Sequence, residues 1–312
     1  MTRVGVVDLG TNSTRLLVAD VVDEEVREID RRLEITRLGE GVDARRQLLP
    51  EAVARVRNVL TDYRRIIEEH GAERTLAFAT SAVRDAENGE AFLGEIEWSY
   101  GFQTRLLTGH EEALLTFRGV STGLEIEDNT LVVDVGGGST ELIVGGPGGV
   151  SFHDSYDLGC VRLTERFPGD SEGCAAYVRA ALSEKVPADV RPRLAIGVAG
   201  TITQLATLDL GLEREEAELV HGHRLSAQAI EQLLRKLAPM PVDEIRELRG
   251  MHPDRAPVIV AGTVVVLEAL RYFDLAELEV SERDIMHGAA LAAAALPAPV
   301  EGDAPPGAYT CC

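Results

Sequence analysis

Short apolar runs broken by Gly, Ser, Thr or Asn alternate along this chain with longer stretches of helical period. Val4 to Leu9 and Leu16 to Val18 flank the turn Gly10-Thr11-Asn12-Ser13. Val132 to Val135 and Leu142 to Val144 flank Gly136-Gly137-Gly138-Ser139. An apolar run, a tight polar turn and a second apolar run spell a β-hairpin. The two stretches superpose at an offset of 126 residues, matching at Asp8 and Asp134, at the first glycine, at Ser-Thr and in the apolar runs. An internal repeat of this kind sets the architecture.

After the first hairpin the pattern predicts a strand at about 26–36, then an amphipathic helix from Pro50 to His70. Pro50 suits the first helical turn and Gly71 the stop. Strand Thr75–Ala79, a mixed helical stretch to Tyr100, strand Gln103–Leu107 and a helix from Glu111 to about Val120 follow. The second half restarts at Thr130 with a hairpin and a strand near 150–156, then helices near 171–185. Strand Leu194–Val198, a helix from Thr201, helices at 226–237 and 241–249, strand 277–280 and helix 284–295 complete it. The apolar helix 256–272 should be buried on every face. Hairpins followed by βα units, occurring twice, indicate an α/β protein of two similar domains. The boundary is expected at Glu125-Ile126-Glu127-Asp128-Asn129, giving domains 1–124 and 125–296. The Pro, Ala, Gly and acidic residues of 297–312 suggest a disordered tail.

Composition narrows the class. The 312 residues suffice for two ordinary domains, and a mean hydropathy of −0.01 describes a soluble globular protein. The run from Ala256 to Leu267 is too short to cross a bilayer, and Met1-Thr2-Arg3 enters the first strand without a signal-like segment. The four cysteines (Cys160, Cys174, Cys311, Cys312) form no CxxC pair, so a reducing cytoplasm fits. A formal charge of −21 opposes a nucleic-acid partner. It also requires that any anionic substrate be held locally, by backbone amides, a few arginines and a divalent cation.

The two hairpin turns are the first candidates for that task. Their glycines let N–H groups approach an anion closely, and Asp8 and Asp134, each closing a strand, can hold a metal ion. The competing reading of either turn is a plain hairpin; their duplication weakens it. No GxxxxGK[ST] is present, and Gly138-Ser139-Thr140-Glu141 opens a strand rather than a helix, which excludes a dinucleotide fingerprint. A third loop, Gly197-Val198-Ala199-Gly200-Thr201, leads into a helix whose N-terminus suits a phosphate or adenosine-like group, or is simply a tight βα turn. Thr108-Gly109-His110-Glu111 has capping-box form. That gives Glu111 a structural task and leaves Glu112 free, as a catalytic base or as a dipole-complementing acid. Arg84, just past a strand end, is either a phosphate clamp or a surface residue. His221-Gly222-His223 reads as loop rather than metal site.

Together these motifs resemble the exopolyphosphatase / guanosine-pentaphosphate phosphatase family of the actin–Hsp70–sugar-kinase superfamily. They are Asp8-x-Gly-Thr-Asn-Ser, Ala79-Thr-Ser-Ala-x-Arg84, Gly109-x-Glu-Glu-Ala113, Asp134-x-Gly-Gly-Gly-Ser-Thr-Glu141, Leu158-Gly-Cys-Val-Arg-Leu-Thr-Glu165 and Gly200-Thr-x-Thr203. The resemblance implies two ribonuclease-H-like (actin-like ATPase) domains with an interdomain active-site cleft. It implies that Glu112 activates the attacking water and that Asp134 and Glu141 organise Mg²⁺ (or Mn²⁺). The backbone of Gly10, Thr11, Asn12 and Ser13 and of Gly136, Gly137, Gly138 and Ser139 would grip phosphates, with Arg84 in contact. Gly200 and Thr201 join the expected phosphate-binding set, and Asp8 the metal set.

The expected substrates are inorganic polyphosphate or pppGpp, with no nucleic-acid or membrane partner and a possible homodimer. Long family members carry further C-terminal helical domains, including an HD-type module. This chain stops after the two core domains, which favours short polyphosphates or pppGpp. The alternatives are a sugar or acid kinase of the superfamily and a non-catalytic nucleotide switch.

Overall fold

A computed structural model describes residues 1–124 and 126–297; the expected tail, with Cys311 and Cys312, lies outside them. The chain divides into two compact units, 1–122 with 285–312, and 123–284. The expected division at 124/125 therefore holds only in part: the last helix, Ile285–Ala294, belongs to the first unit. The reason is packing. Ile285, Met286, Ala289, Ala290 and Ala293 form one core with Val4, Val6, Leu17, Ala19, Leu76 and Phe78.

Among its described residues the first unit has one sheet, of strands β1 (Thr2–Leu9), β2 (Thr14–Val22), β3 (Glu25–Glu34), β4 (Arg74–Ala79) and β5 (Gln103–Leu106). Their order is β3-β2-β1-β4-β5. β1, β2 and β3 pair antiparallel, while β4 and β5 add parallel to β1. Strand side chains alternate between faces, and both faces are buried. Val7, Leu9, Leu16, Val18, Ala77 and Ala79 pack under the helix Pro50–Glu69; the helix Ile285–Ala294 covers the other face. Pro50 starts the long helix and Gly71, at φ 65°, ends it, as the sequence predicts.

The second unit repeats the plan with β6 (Thr130–Val135), β7 (Thr140–Gly146), β8 (Gly149–Tyr156), β9 (Leu194–Val198), β10 (Arg224–Ser226) and β11 (Glu277–Val280). Their order is β10-β11-β9-β6-β7-β8, so β8-β7-β6-β9-β11 mirrors the first sheet and β10 is an added antiparallel edge. The repeat extends to irregularities. β2/β3 shift register between Val18 and Ala19, and β7/β8 between Val144 and Gly145, again 126 residues on. This is the expected α/β architecture of two like domains.

The apolar helix begins at Ile259 rather than 256; Ile259 and Ala261–Leu270 are buried, while Val260 is partly buried and Arg271 exposed, so the expected burial on every face stops short of 272. Its buried Glu268 is neutralised by Arg271 at 2.9 Å and Arg179 at 3.2 Å. Helix Cys160–Arg166, which begins inside the Leu158–Glu165 motif, is not predicted from the sequence because seven residues give too little periodicity.

Candidate active site

Asp8 is the penultimate residue of β1, the first strand of the first hairpin. In the turn, the Gly10 N–H donates to the Ser13 carbonyl at 3.0 Å, and a Cβ on Gly10 would stand 2.9 Å from that oxygen. The Thr11 and Asn12 carbonyls accept from the Gly39 and Arg37 N–H groups at 2.8 and 2.9 Å. Thr11 Oγ1 lies 2.9 Å from Ser81 Oγ, and Thr14 Oγ1 2.9 Å from Thr36 Oγ1. The turn's carbonyls thus face the 37–39 segment. Among the described residues, the N–H groups of Thr11, Asn12 and Ser13 donate to no backbone carbonyl.

The second hairpin closes the same way, Gly136 N–H to the Ser139 carbonyl at 3.0 Å. Here the carbonyls are taken by a helix start. Cys160 and Val161 N–H donate to the Gly136 and Gly137 oxygens at 2.9 and 2.8 Å, and Arg162 Nε to the Gly138 oxygen at 2.8 Å. First-turn N–H groups need such acceptors. The contact is so close that a Cβ on Gly159 would lie 2.2 Å from the Gly137 oxygen. Among the described residues, the N–H groups of Gly137, Gly138 and Ser139 likewise meet no backbone carbonyl. Successive N–H groups left in this way form a concavity suited to anions.

The two hairpins differ in charge across the strands. Asp8 stands opposite Arg15, and the pair is joined at 2.7 Å with both side chains largely buried. Asp134 stands opposite Glu141, and both are buried. Residues directly opposite have Cβ atoms about 5 Å apart, and like charges there repel. Ser155 Oγ donates to Glu141 Oε1 at 2.7 Å, which orients that carboxylate. Carboxylates are ligands of the kind a hard divalent cation takes, one or two at a time, with water and phosphate oxygens completing its shell. In the first hairpin the Arg15 guanidinium supplies a counter-charge to Asp8, whereas the residue opposite Asp134 is a second acid. Among the described residues, no group of three or more His, Cys, Asp or Glu side chains could hold a metal ion. His223 instead bonds Asp209 at 2.8 Å.

Thr108 and Glu111 form the predicted capping box at the start of helix Gly109–Val120, with Glu111 N–H donating to Thr108 Oγ1 at 3.2 Å. Thr108 N–H and hydroxyl donate back to the Glu111 carboxylate at 2.8 and 2.9 Å and hold it below the usual carboxylate range. Glu112 is not free as expected. It is buried, only 4% exposed, and Arg84 Nη1 donates to its Oε1 at 2.5 Å. Arg84 is accordingly no bare surface residue.

The third loop opens helix Ala199–Asp209, two residues earlier than predicted, with Ala199 at φ 69°. The Arg255 guanidinium lies directly over Gly200, where a Cβ would meet Nη1 at 1.7 Å. Buried Gln204 fixes the segment that delivers it, donating to the Gly250 carbonyl at 2.8 Å and accepting from His252 N–H at 2.9 Å. Thr201 hydrogen-bonds the Cys160 side chain, whose thiol burial pushes up. The sequence reading missed Arg255, Arg162 and Ser155. Arg162 lies in a recognised motif, whereas nothing near Arg255 in sequence points to Gly200.

The profile of the Ppx/GppA phosphatase family matches residues 17–294. The chain is 38% identical to exopolyphosphatase 2 of Mycobacterium tuberculosis, over 94% of this chain and 99% of that protein. It is 28% identical to the guanosine-5'-triphosphate,3'-diphosphate pyrophosphatase of Aeromonas hydrophila, over 84% of this chain and 53% of that one. The crystal structure of the Aquifex aeolicus Ppx/GppA family member aligns with a TM-score of 0.80 at 30% identity, covering 93% and 97% of the two chains. With the motif-bearing turns reproduced in the fold and the match running through nearly the whole chain, this protein belongs to the Ppx/GppA phosphatase family.

Proposed function

We propose that this protein is a phosphoanhydride hydrolase that releases terminal phosphate from inorganic polyphosphate, with pppGpp as the alternative substrate. The observation that carries the reading is the pair of hairpin turns with inward-braced carbonyls and N–H groups left for an anion, one beside two buried carboxylates. The names of the relatives, exopolyphosphatase and guanosine pentaphosphate pyrophosphatase, supply the substrate class.

Asp134 and Glu141 would hold Mg²⁺ (or Mn²⁺), whose chemistry is to offset charge on the phosphoryl oxygens. The N–H groups of the two turns grip phosphate oxygens, and Arg84 contributes a guanidinium. Glu112, oriented in its buried pair, takes the proton of the attacking water. Such general-base help is worth about 10²–10⁴ in rate. Gly200 and Thr201 at a helix start, with Arg255 over them, suit a further phosphate of the same substrate. A reducing cytoplasm remains the reading for location, supported by the buried free thiols of Cys160 and Cys174, the latter raised by burial to about 11.

The test is phosphate release with Mg²⁺ from polyphosphate, from pppGpp, and from ATP with and without sugars. Release from polyphosphate or pppGpp without an acceptor is expected. Transfer only to a sugar would make the chain a kinase, and binding of nucleotide without turnover a switch.

A further inference from the structure

Arg84 does not stand apart from the chemistry as a simple anion clamp. Its Nη1 donates to the Leu107 carbonyl at 2.7 Å as well as to Glu112 Oε1. Leu107 is itself fixed, because its N–H donates to the Ala79 carbonyl at 2.9 Å at the end of β4. Arg84 is tied at its root too, its N–H donating to the Thr80 carbonyl at 3.0 Å. The guanidinium is therefore tied to the carbonyl that follows β5, on a residue whose own N–H is bonded to the end of β4. A glutamate's terminal torsion is soft, so an unheld carboxylate in the first turn of a helix would sample many directions. Here a strand-anchored donor sets which way it faces.

We infer that Arg84 is a positioning residue for Glu112: it fixes the carboxylate's orientation and keeps it ionised, over and above any contact with phosphate. This rests on the hydrolase reading with Glu112 as base. A guanidinium has five N–H donors, so holding Glu112 leaves donors for an anion, and the two roles separate only in kinetics. Arg84 on helix Ser81–Asp85 contacts Glu112, and the same helix as Glu112 also carries His110 and Glu111. His287 stands on helix Ile285–Ala294, which packs against that helix, and bonds Glu28 at 2.9 Å. Removing the Arg84 guanidinium takes away an opposite charge, which favours the protonated acid.

The experiment is a kinetic cycle of wild type, Arg84→Gln, Glu112→Gln and the double variant. It uses polyphosphate with Mg²⁺, measured across pH, with folding checked by circular dichroism. Arg84→Gln should lower kcat at least about tenfold and move the acid limb of its pH profile to higher pH. In the Glu112→Gln background the same change should alter kcat less than about twofold, because groups acting through one another are not additive. Arg84→Met, which removes the charge but keeps an unbranched stem of similar length, replaces Arg84→Gln in the cycle if the latter does not fold. Equal losses in both backgrounds, or a raised KM with an unmoved acid limb, would overturn the inference and leave Arg84 as a phosphate clamp. A wild type that releases no phosphate from any substrate sinks the hydrolase reading itself, a separate result.

Discussion

At the scale of single residues, the molecule uses one turn twice and charges it differently. Asp8 stands opposite and pairs with Arg15, whereas Asp134 stands opposite a second acid, Glu141. Divalent cation binding should therefore stabilise the fold through the second pair. Saturating Mg²⁺ is expected to raise wild-type stability by about 2–3 kcal/mol, read as a shift in thermal unfolding. Glu141→Gln should be at least as stable as wild type without metal, because the like-charge repulsion is gone, and should lose most of the Mg²⁺ response. An equal response in both proteins would place the cation elsewhere. For Glu112 the expectation is kinetic. Glu112→Gln keeps the buried shape and should leave KM within a few-fold, while kcat drops at least about a hundredfold. Near-normal turnover would remove it as the base.

Elements come next, and here the helix start at Thr108 matters because it carries Glu112 in its first turn. Losing an N-cap side chain costs about 1 kcal/mol, so Thr108→Ala should lower stability by that order in urea unfolding and weaken turnover with it. The reciprocal bonds to Glu111 make the effect depend on pH. Its carboxyl is held below the ordinary range by Thr108, so the folded state favours the ionised form. That contribution is fully present above the unfolded-state value, about 4.3, and is lost as pH falls through the lower folded value. Glu111→Gln should therefore be less stable than wild type near neutrality, with the deficit shrinking below about pH 4. A deficit constant with pH would mean that the charge plays no part.

For the whole molecule, the chain's last described helix completes the first domain rather than the second. Cutting after Asp284 would bare the sheet face formed by Val4, Val6, Leu17, Leu76 and Phe78. A 1–284 chain is expected to aggregate or elute as an expanded species on size exclusion, while 1–297 stays folded and active. A soluble, native-like 1–284 chain would show that the helix is dispensable cover. The repeat, both hairpins, the capping box and the buried apolar helix were legible in the sequence, because each is written in local periodicity or turn chemistry. Capping spacing singled out Glu112 and strand-end position Asp134, whereas Glu141 entered only through the family resemblance. The partners of these groups were not legible. Arg84 reaches Glu112 from 28 residues away, and Arg255 covers Gly200 from the far side of several helices. The last helix crosses back to the first sheet in the same non-local manner. Local sequence determined the turns and the strands that carry charge, since backbone geometry and alternation act over a few residues. Which charge meets which, and so what each carboxylate can do, was decided only by the tertiary structure, because ion pairing depends on distances that folding alone sets.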